Sequence, residues 1–575
     1  MNARSKRAAS FRRFLRAEEK GVVAVIFGLS FLPMLFLAGA GVDFSKYAAM
    51  RASLQQATDN AALKVASKMT SLTTPDQARA QAQVFLNAGP GMASAQIAAA
   101  AISDDKQRFC ITTNAQMRTT VLKLARLETL ASTVSACASL AGGPGQNDTY
   151  EIALVLDNSG SMNGSAGGVT KLDALKSAAA SFVDTMFAKA PERVAFSIVP
   201  FAGAVVAVDP MVAADRTLAW IDTHGDNSQH WVAFGGKEAA VAAGFASRFD
   251  IFDKLQQRNR AMDWRGCFEA PIYPRNVEDM AVTPEDSETL FVPYLAPDEP
   301  SGYANNNYLD DNGAVTINRT TTYACDQKAA DNWPRLTQVC KYKPTTAKSG
   351  NYGPTSFFGP NAFCPDNATQ LLKRLTGSKT EIGGKVDGLV ANGNTNLHEG
   401  FMWGWRTLSP KGPFAEGRPY SAENNRKIMV FMTDGFNNWG AQSNTVVGSD
   451  YESLGYYTYN GAPNLRLPDG SAGDRIDYRA ALAASANSGS SYLATSRVAQ
   501  DELTLQACDH AKSAGVEVFT IGFSTSTDRI DQQGLELLQS CATNPEHYYA
   551  VENATQLNAA FSSIGLGLGK LRLSQ

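Results

Sequence analysis

Residues 150–565 predict an α/β domain built on a doubly wound parallel sheet. Three observations carry that expectation. A continuous apolar run at 152–156 has the composition of a strand buried on both faces, and 194–201, 428–432 and 516–521 read as three more buried strands. Segment 171–188 sets Leu172, Leu175, Ala179, Phe182, Val183 and Met186 on one helical stripe, and 503–513 is a second helical segment. Strand and helix alternate along the chain, which implies parallel strands joined by crossover helices.

The strands sit within 575 residues, more than one compact core accommodates. Hydrophobic residues make up 44% and charged residues 19%, with a formal net charge of −3. No basic excess points to nucleic acid. Two stretches break the alternation. About 215–364 is rich in Asn, Pro, Asp, Tyr and Trp, and about 439–500 in Gly, Ser, Tyr and Asn. Both are too long for plain loops and read as insertions on the surface of the sheet domain.

Ahead of this domain the chain changes character. Residues 1–20 form a basic tail carrying Arg4, Lys6, Arg7, Arg12, Arg13, Arg16 and Lys20. The uncharged run 21–42 reaches roughly 33 Å as a helix at about 1.5 Å per residue, enough to cross a hydrocarbon core. The basic tail then stays in the cytoplasm and the rest faces outward. A cleaved signal peptide, with Ala38-Gly39-Ala40 as its small-residue site, is the competing reading. The length of the run and its continuation beyond Asp43 favour an anchor. From 43 to about 69, Leu54, Ala57, Ala61, Ala62 and Val65 recur at helical spacing. Alternating segments at 109–112 and 119–122 suggest a small strand-containing stalk ending near 140, and 141–149 is a linker by composition.

All eight cysteines follow residue 109, on the side expected to be oxidising. Their wide spacing favours disulfides over zinc. Cys508 and Cys541 fall in helices flanking one strand and form the expected pair. Cys267, Cys325, Cys340 and Cys364 admit three connectivities.

Chemistry concentrates directly after the first buried strand, at Asp157-Asn158-Ser159-Gly160-Ser161. In a strand-to-helix loop this run gathers three oxygen-bearing side chains where doubly wound sheets bind ligands. Hydroxyl and carboxylate oxygens without sulfur or imidazole suit a hard cation such as Mg²⁺, Ca²⁺ or Mn²⁺. The bland alternative is that these residues merely cap the next helix.

The run resembles the metal-ion-dependent adhesion site of von Willebrand factor A-type domains, a Rossmann-like family. That family adds a Thr from a second loop and an Asp after a further strand. Thr395, in Asn392-Gly393-Asn394-Thr395-Asn396, and Asp434, in Met432-Thr433-Asp434-Gly435, stand in that order. The resemblance implies Ser159, Ser161 and Thr395 as inner ligands and Asp157 and Asp434 as outer acceptors through water. It also implies Mg²⁺ as the first choice of ion and a protein partner whose acidic side chain completes the shell.

A second resemblance lies at the front. The basic tail, Glu19-Lys20-Gly21-Val22-Val23-Ala24-Val25-Ile26-Phe27, Val42-Asp43 and a helix with Arg51, Leu54, Gln55, Ala57 and Asp59 are similar to TadE/TadG proteins of tight-adherence (Flp) pilus assembly. TadG-like members often carry an A-type domain outside the membrane. The resemblance implies a single-pass protein of the bacterial inner membrane, its large C-terminal part in the periplasm beside other pilus-assembly proteins. Phe14, Leu15, Arg16 and Ala17 stand where prepilin processing needs a Gly, so such cleavage is not expected.

Other candidates carry less. The five histidines are scattered, and His398 reads as helix surface. Gly384-Lys385-Val386 lacks a phosphate loop's Ser or Thr, and the glycines at 565–569 follow no strand. Residues 308–313 lack an EF-hand's first acid and last Glu. Ser159 has no nucleophile elbow. Trp231, Trp264, Tyr273, Tyr303, Tyr308 and Trp333 read as a small disulfide-pinned core rather than a binding face. The expectation is a non-enzymatic, metal-dependent binding protein of pilus assembly and adhesion. A freestanding adhesin, or an envelope enzyme or sensor built on the same scaffold, is the alternative.

Overall fold

The computed structural model describes residues 27, 30–31, 39–66, 74–87, 95–102, 108–139, 148–300, 306–309, 332–343, 350, 352, 358–365, 367–439, 445–457, 462, 464–468 and 491–568. The expected membrane run 21–42 and linker 141–149 lie mostly outside them. Among the described residues no helix is long and apolar enough to cross a membrane. The chain divides into two compact units, Met1–Gln146 with Gly567–Gln575, and Asn147–Leu566.

The first unit holds helix α1 (39–66), α2 (Pro75–Asn87) and an antiparallel sheet β1-β2-β3 (Gln96–Ile102, Arg108–Arg118, Thr129–Ser139). Leu54, Ala61, Ala62 and Val65 of α1 are buried on the predicted stripe, with Ala57 at its margin. They meet Ala78, Ala82 and Leu86 of α2 and Phe109, Ile111 and Val134 of the sheet. Strand β2 alternates, Phe109, Ile111 and Thr113 inward, as a sheet covered on one face requires. Cys110 and Cys137 are opposite each other on β2 and β3 and are bonded.

One expectation needs correction here. Residues 119–122 are a turn, not a strand; the Asp43 carboxylate holds it by accepting from the amides of Thr120 (2.9 Å), Val121 (2.7 Å) and Leu122 (2.9 Å). Strand β1 is hidden in alanine-rich sequence, where neither a two- nor a four-residue period shows. Its pairing with β2 decides its state.

The second unit is α/β. Its six-stranded sheet runs β6-β5-β4-β7-β8-β9. The strands are β4 (Thr149–Asp157), β5 (Val194–Phe201), β6 (Lys373–Thr376), β7 (Asn425–Thr433), β8 (Val516–Phe523) and β9 (Tyr548–Val551). All neighbours are parallel except β5 and β6. The four predicted strands are the buried centre. The two edges, β6 and β9, carry no long apolar run, and of their eight residues only Val551 is buried. β6 makes the sheet parallel-rich rather than wholly parallel.

Helix α3 (Lys171–Lys189) buries the whole predicted stripe, and Thr170 caps it by accepting from the Asp173 amide. Helices α4 (Lys379–Asp387), α5 (Leu397–Leu408), α6 (Ser491–Ser513) and α7 (Gln532–Cys541) follow. Every residue of α5 is buried. A Cβ on Gly400 would stand 2.5 Å from Phe201 Cγ, and one on Gly404 2.3 Å from Val155 Cγ2, so these glycines let the helix backbone approach the sheet.

On its other side α5 meets the two long segments. These are not separate surface appendages, because both contribute to the core of the sheet domain. Glu269, in the first, accepts from Arg248 in the first and from Arg466 and Tyr451 in the second, all buried. Trp231, Trp264 and Tyr308 are buried in that shared core, as expected of structural aromatics; Tyr303 is outside the described residues. Disulfides join Cys267 to Cys364 and Cys508 to Cys541, and Cys340 is also disulfide-bonded. Cys325 is outside the described residues.

Candidate functional site

Numbered from its first strand, the six-stranded sheet has the order 3-2-1-4-5-6. The order turns between β4 and β7, and ligands in such sheets bind beyond the carboxyl ends of the strands at that point. Asp157 is the last residue of β4, and Asp434 directly follows β7. The two loops that carry chemistry therefore start side by side.

Asp157 is locked from two directions. Its Oδ1 accepts from the Ser159 amide (2.8 Å) and its Oδ2 from Thr433 Oγ1 (2.6 Å). This bends the chain so that Ser159 Oγ lies 3.0 Å from Ser161 Oγ, and Ser161 Oγ donates to Asp434 Oδ1 at 2.7 Å. A third loop is tied on by its backbone: the Gly160 amide donates to the Gly393 carbonyl (2.9 Å), and the Asn392 amide to the Asn158 carbonyl (2.8 Å). That loop ends at Asn396, which caps α5 by accepting from the Glu399 amide. The Thr395 carbonyl accepts from the Asn438 amide (2.9 Å), and a Cβ on Gly435 would stand 3.4 Å from Thr395 Oγ1. The Thr395 hydroxyl thus borders the Asp434 loop. Asp157, Ser159, Thr395 and Asp434 are buried, while Ser161 is partly exposed.

Two residues at the site escaped sequence reasoning. Lys171, the first residue of α3, is wholly buried and donates to Asp434 Oδ2 (2.8 Å) and to Asp528 Oδ2 (2.6 Å). A signal existed, since a cation at a helix N-terminus opposes the helix dipole and calls for a specific partner. Asp528, in the turn after β8, carried none.

Burial, reinforced by the charge of Asp434, pushes the Asp157 carboxyl up from its ordinary value. Burial also raises Asp434, against the opposing pull of Lys171. Burial alone would lower Lys171, but the charge of Asp434 and hydrogen bonds to both aspartates outweigh it and hold the ammonium protonated. The hydroxyl and carboxylate oxygens here are of the kind a hard cation takes. Among the described residues no group of three or more His, Cys, Asp or Glu could hold a metal. Any cation here would lean on hydroxyls and two carboxylates.

His398 departs from expectation. It is wholly buried on α5, its Nε2 bonded to the Asn276 carbonyl at 2.8 Å. Burial lowers it to about 4, so it is neutral at neutral pH and makes a packing contact.

No curated protein matches the chain. Among solved structures it is similar to the pilus adhesin SpaC from Lactobacillus rhamnosus GG, at 13% identity and TM-score 0.30, covering 83% of this chain and 34% of that one. It therefore spans about a third of SpaC. The vWF domain of the type V pili tip protein Mfa5 from Porphyromonas gingivalis is similar at 11% identity and TM-score 0.31, covering 74% and 98%. The pilus adhesin RrgA from Streptococcus pneumoniae is similar at 11% and 0.31, covering 84% and 49%. At its front, over residues 21–68, the chain matches the Tad family model, Flp pilus-assembly TadE/G-like.

Proposed function

We propose that this is a membrane-anchored pilus-assembly and adhesion protein whose von Willebrand factor A-type domain, a doubly wound sheet, binds a divalent cation and through it a protein partner. The observation that carries the reading is the run Ser159–Ser161–Asp434 at the point where the strand order turns, with Thr395 bordering it. The TadE/G-like match at 21–68 supports the pilus context and, with the uncharged run 21–42, an inner-membrane anchor and a periplasmic site.

Ser159, Ser161 and Thr395 would hold the ion, with Asp157 and Asp434 behind them. When bound, Mg²⁺ (or Mn²⁺ or Ca²⁺) would supply an electrophilic position that a partner's carboxylate can fill. The residues of this chain do the rest. Asp157 fixes the bend that points both serines one way. Asp434 orients the Ser161 hydroxyl. Thr433 and the Ser159 amide hold Asp157 itself in place. The proposed role is binding, not catalysis.

The test is calorimetric titration of Mn²⁺ into the detergent-solubilised protein and into a Ser159→Ala/Ser161→Ala variant. The reading expects a single site in the first and none in the second, with unchanged circular dichroism. Equal binding by both would overturn it.

A further inference from the structure

We propose that Lys171 is a built-in cation that competes with the divalent ion for Asp434 and so sets its affinity; this rests on the metal-site reading above. Lysine is almost never wholly buried unless paired, and here the pairing is divided. The ammonium lies 2.8 Å from Asp434 Oδ2 on one side and 2.6 Å from Asp528 Oδ2 on the other. The second oxygen of Asp434, Oδ1, faces the serines and accepts from Ser161 Oγ at 2.7 Å. One carboxylate therefore serves two positions: a permanent positive charge behind and the serine hydroxyls in front.

A cation drawing on Oδ1 shares that carboxylate with the ammonium. Like charges so close repel, and in a buried setting water screens them weakly. No local helical preference puts Lys171 there, since the first residue of α3 is where a positive charge is least favoured. Asp528 offers an alternative. Its side chain is 47% exposed, on a turn after β8, and it can keep the ammonium as Asp434 is drawn forward. A Cβ on Gly164 would stand 3.6 Å from both Lys171 Cε and Asp528 Oδ2, so the serine-bearing loop runs directly over this pair.

Two consequences follow. Without metal, Lys171 compensates the buried Asp434, so the loops keep their shape. With metal, the ion binds against a resident charge, so occupancy tracks the surrounding concentration of divalent cation and partner binding becomes conditional on it.

Mn²⁺ titration of the full chain in detergent, with Lys171→Met and Asp528→Asn variants, tests this. Lys171→Met should bind Mn²⁺ at least about tenfold tighter, while melting at a lower temperature in EDTA. Asp528→Asn leaves Lys171 wholly on Asp434 and should bind several-fold more weakly. A merely structural role would weaken both. If the native chain binds Mn²⁺ but Lys171→Met binds no tighter, the competition is wrong and the metal site stands. If Lys171→Met does not fold, Lys171→Gln, which keeps a polar group beside both aspartates without the charge, takes its place: tighter binding than the native chain supports the competition and binding no tighter overturns it. If neither the native chain nor Lys171→Met binds, both readings fall. Binding by Lys171→Met alone supports the competition.

Discussion

Ser161 Oγ donates to Asp434 Oδ1 across 2.7 Å, although the two residues lie 273 positions apart. Two loops on neighbouring parallel strands create this contact, and both strands are buried over most of their length. The bond is thus held between two central, neighbouring strands of the sheet. Ser161→Ala should remove one hydroxyl and cost about 1–3 kcal/mol of stability. Its effect on Mn²⁺ affinity should exceed that, a loss of about 1,000-fold or more, because the same hydroxyl is a direct ligand in the proposed site. Paired denaturation and titration measurements compare the two losses. A loss in affinity no greater than the loss in stability would argue against ligation.

The two raised carboxyls would give the proposed metal binding a pH dependence. An aspartate whose folded value is raised holds its proton more tightly in the fold than in the unfolded chain. Its ionisation lowers the stability of the metal-free fold as pH rises from the ordinary value of 3.8 through the raised one. Mg²⁺ favours the ionised pair, so it should expel protons and bind tighter as pH rises across that window. Calorimetry at about pH 5.5 and about pH 7.5, in buffers of differing ionisation heat, should show tighter binding and net proton release.

Glu269 joins both long segments. Glu269→Gln should leave Arg248 and Arg466 buried without their carboxylate and cost about 3–5 kcal/mol, seen as a fall in the denaturant midpoint. Asp226→Asn breaks the Lys237 pair, whose side chains are 50% and 54% exposed, and should change stability by about 1 kcal/mol or less.

In the first unit, the Leu122 amide leads, ahead of the opposing effect of burial, in holding Asp43 down to about 2; the Thr120 and Val121 amides add to it. This stabilisation is complete above the ordinary aspartate value of 3.8 and is lost as pH falls through about 2. Asp43→Asn should speed hydrogen exchange at Thr120, Val121 and Leu122 at neutral pH and leave the second unit's amides unchanged. Equal protection in both proteins would mean that the turn holds itself.

The sequence by itself determined the buried strands β4, β5, β7 and β8, the stripe of α3 and the oxygen-rich loop 157–161. Each is local: a parallel strand covered on both faces is mostly apolar along its middle, and a buried helix face must repeat near every fourth residue. The Cys508–Cys541 bond was legible for the same reason, since both helices adjoin one strand. Edge strands β6 and β9 were not, because a four-residue strand that is almost wholly unburied has no distinctive pattern. His398 read as surface because its partner, the Asn276 carbonyl, lies 122 residues earlier in a segment without regular pattern. Only the tertiary structure decided that two distant segments share Glu269, and that Lys171 stands behind Asp434. Both depend on which buried charges meet across hundreds of residues. Burial makes an unpaired charge costly, so the fold must bring partners together, but the spacing of residues along the chain does not say which.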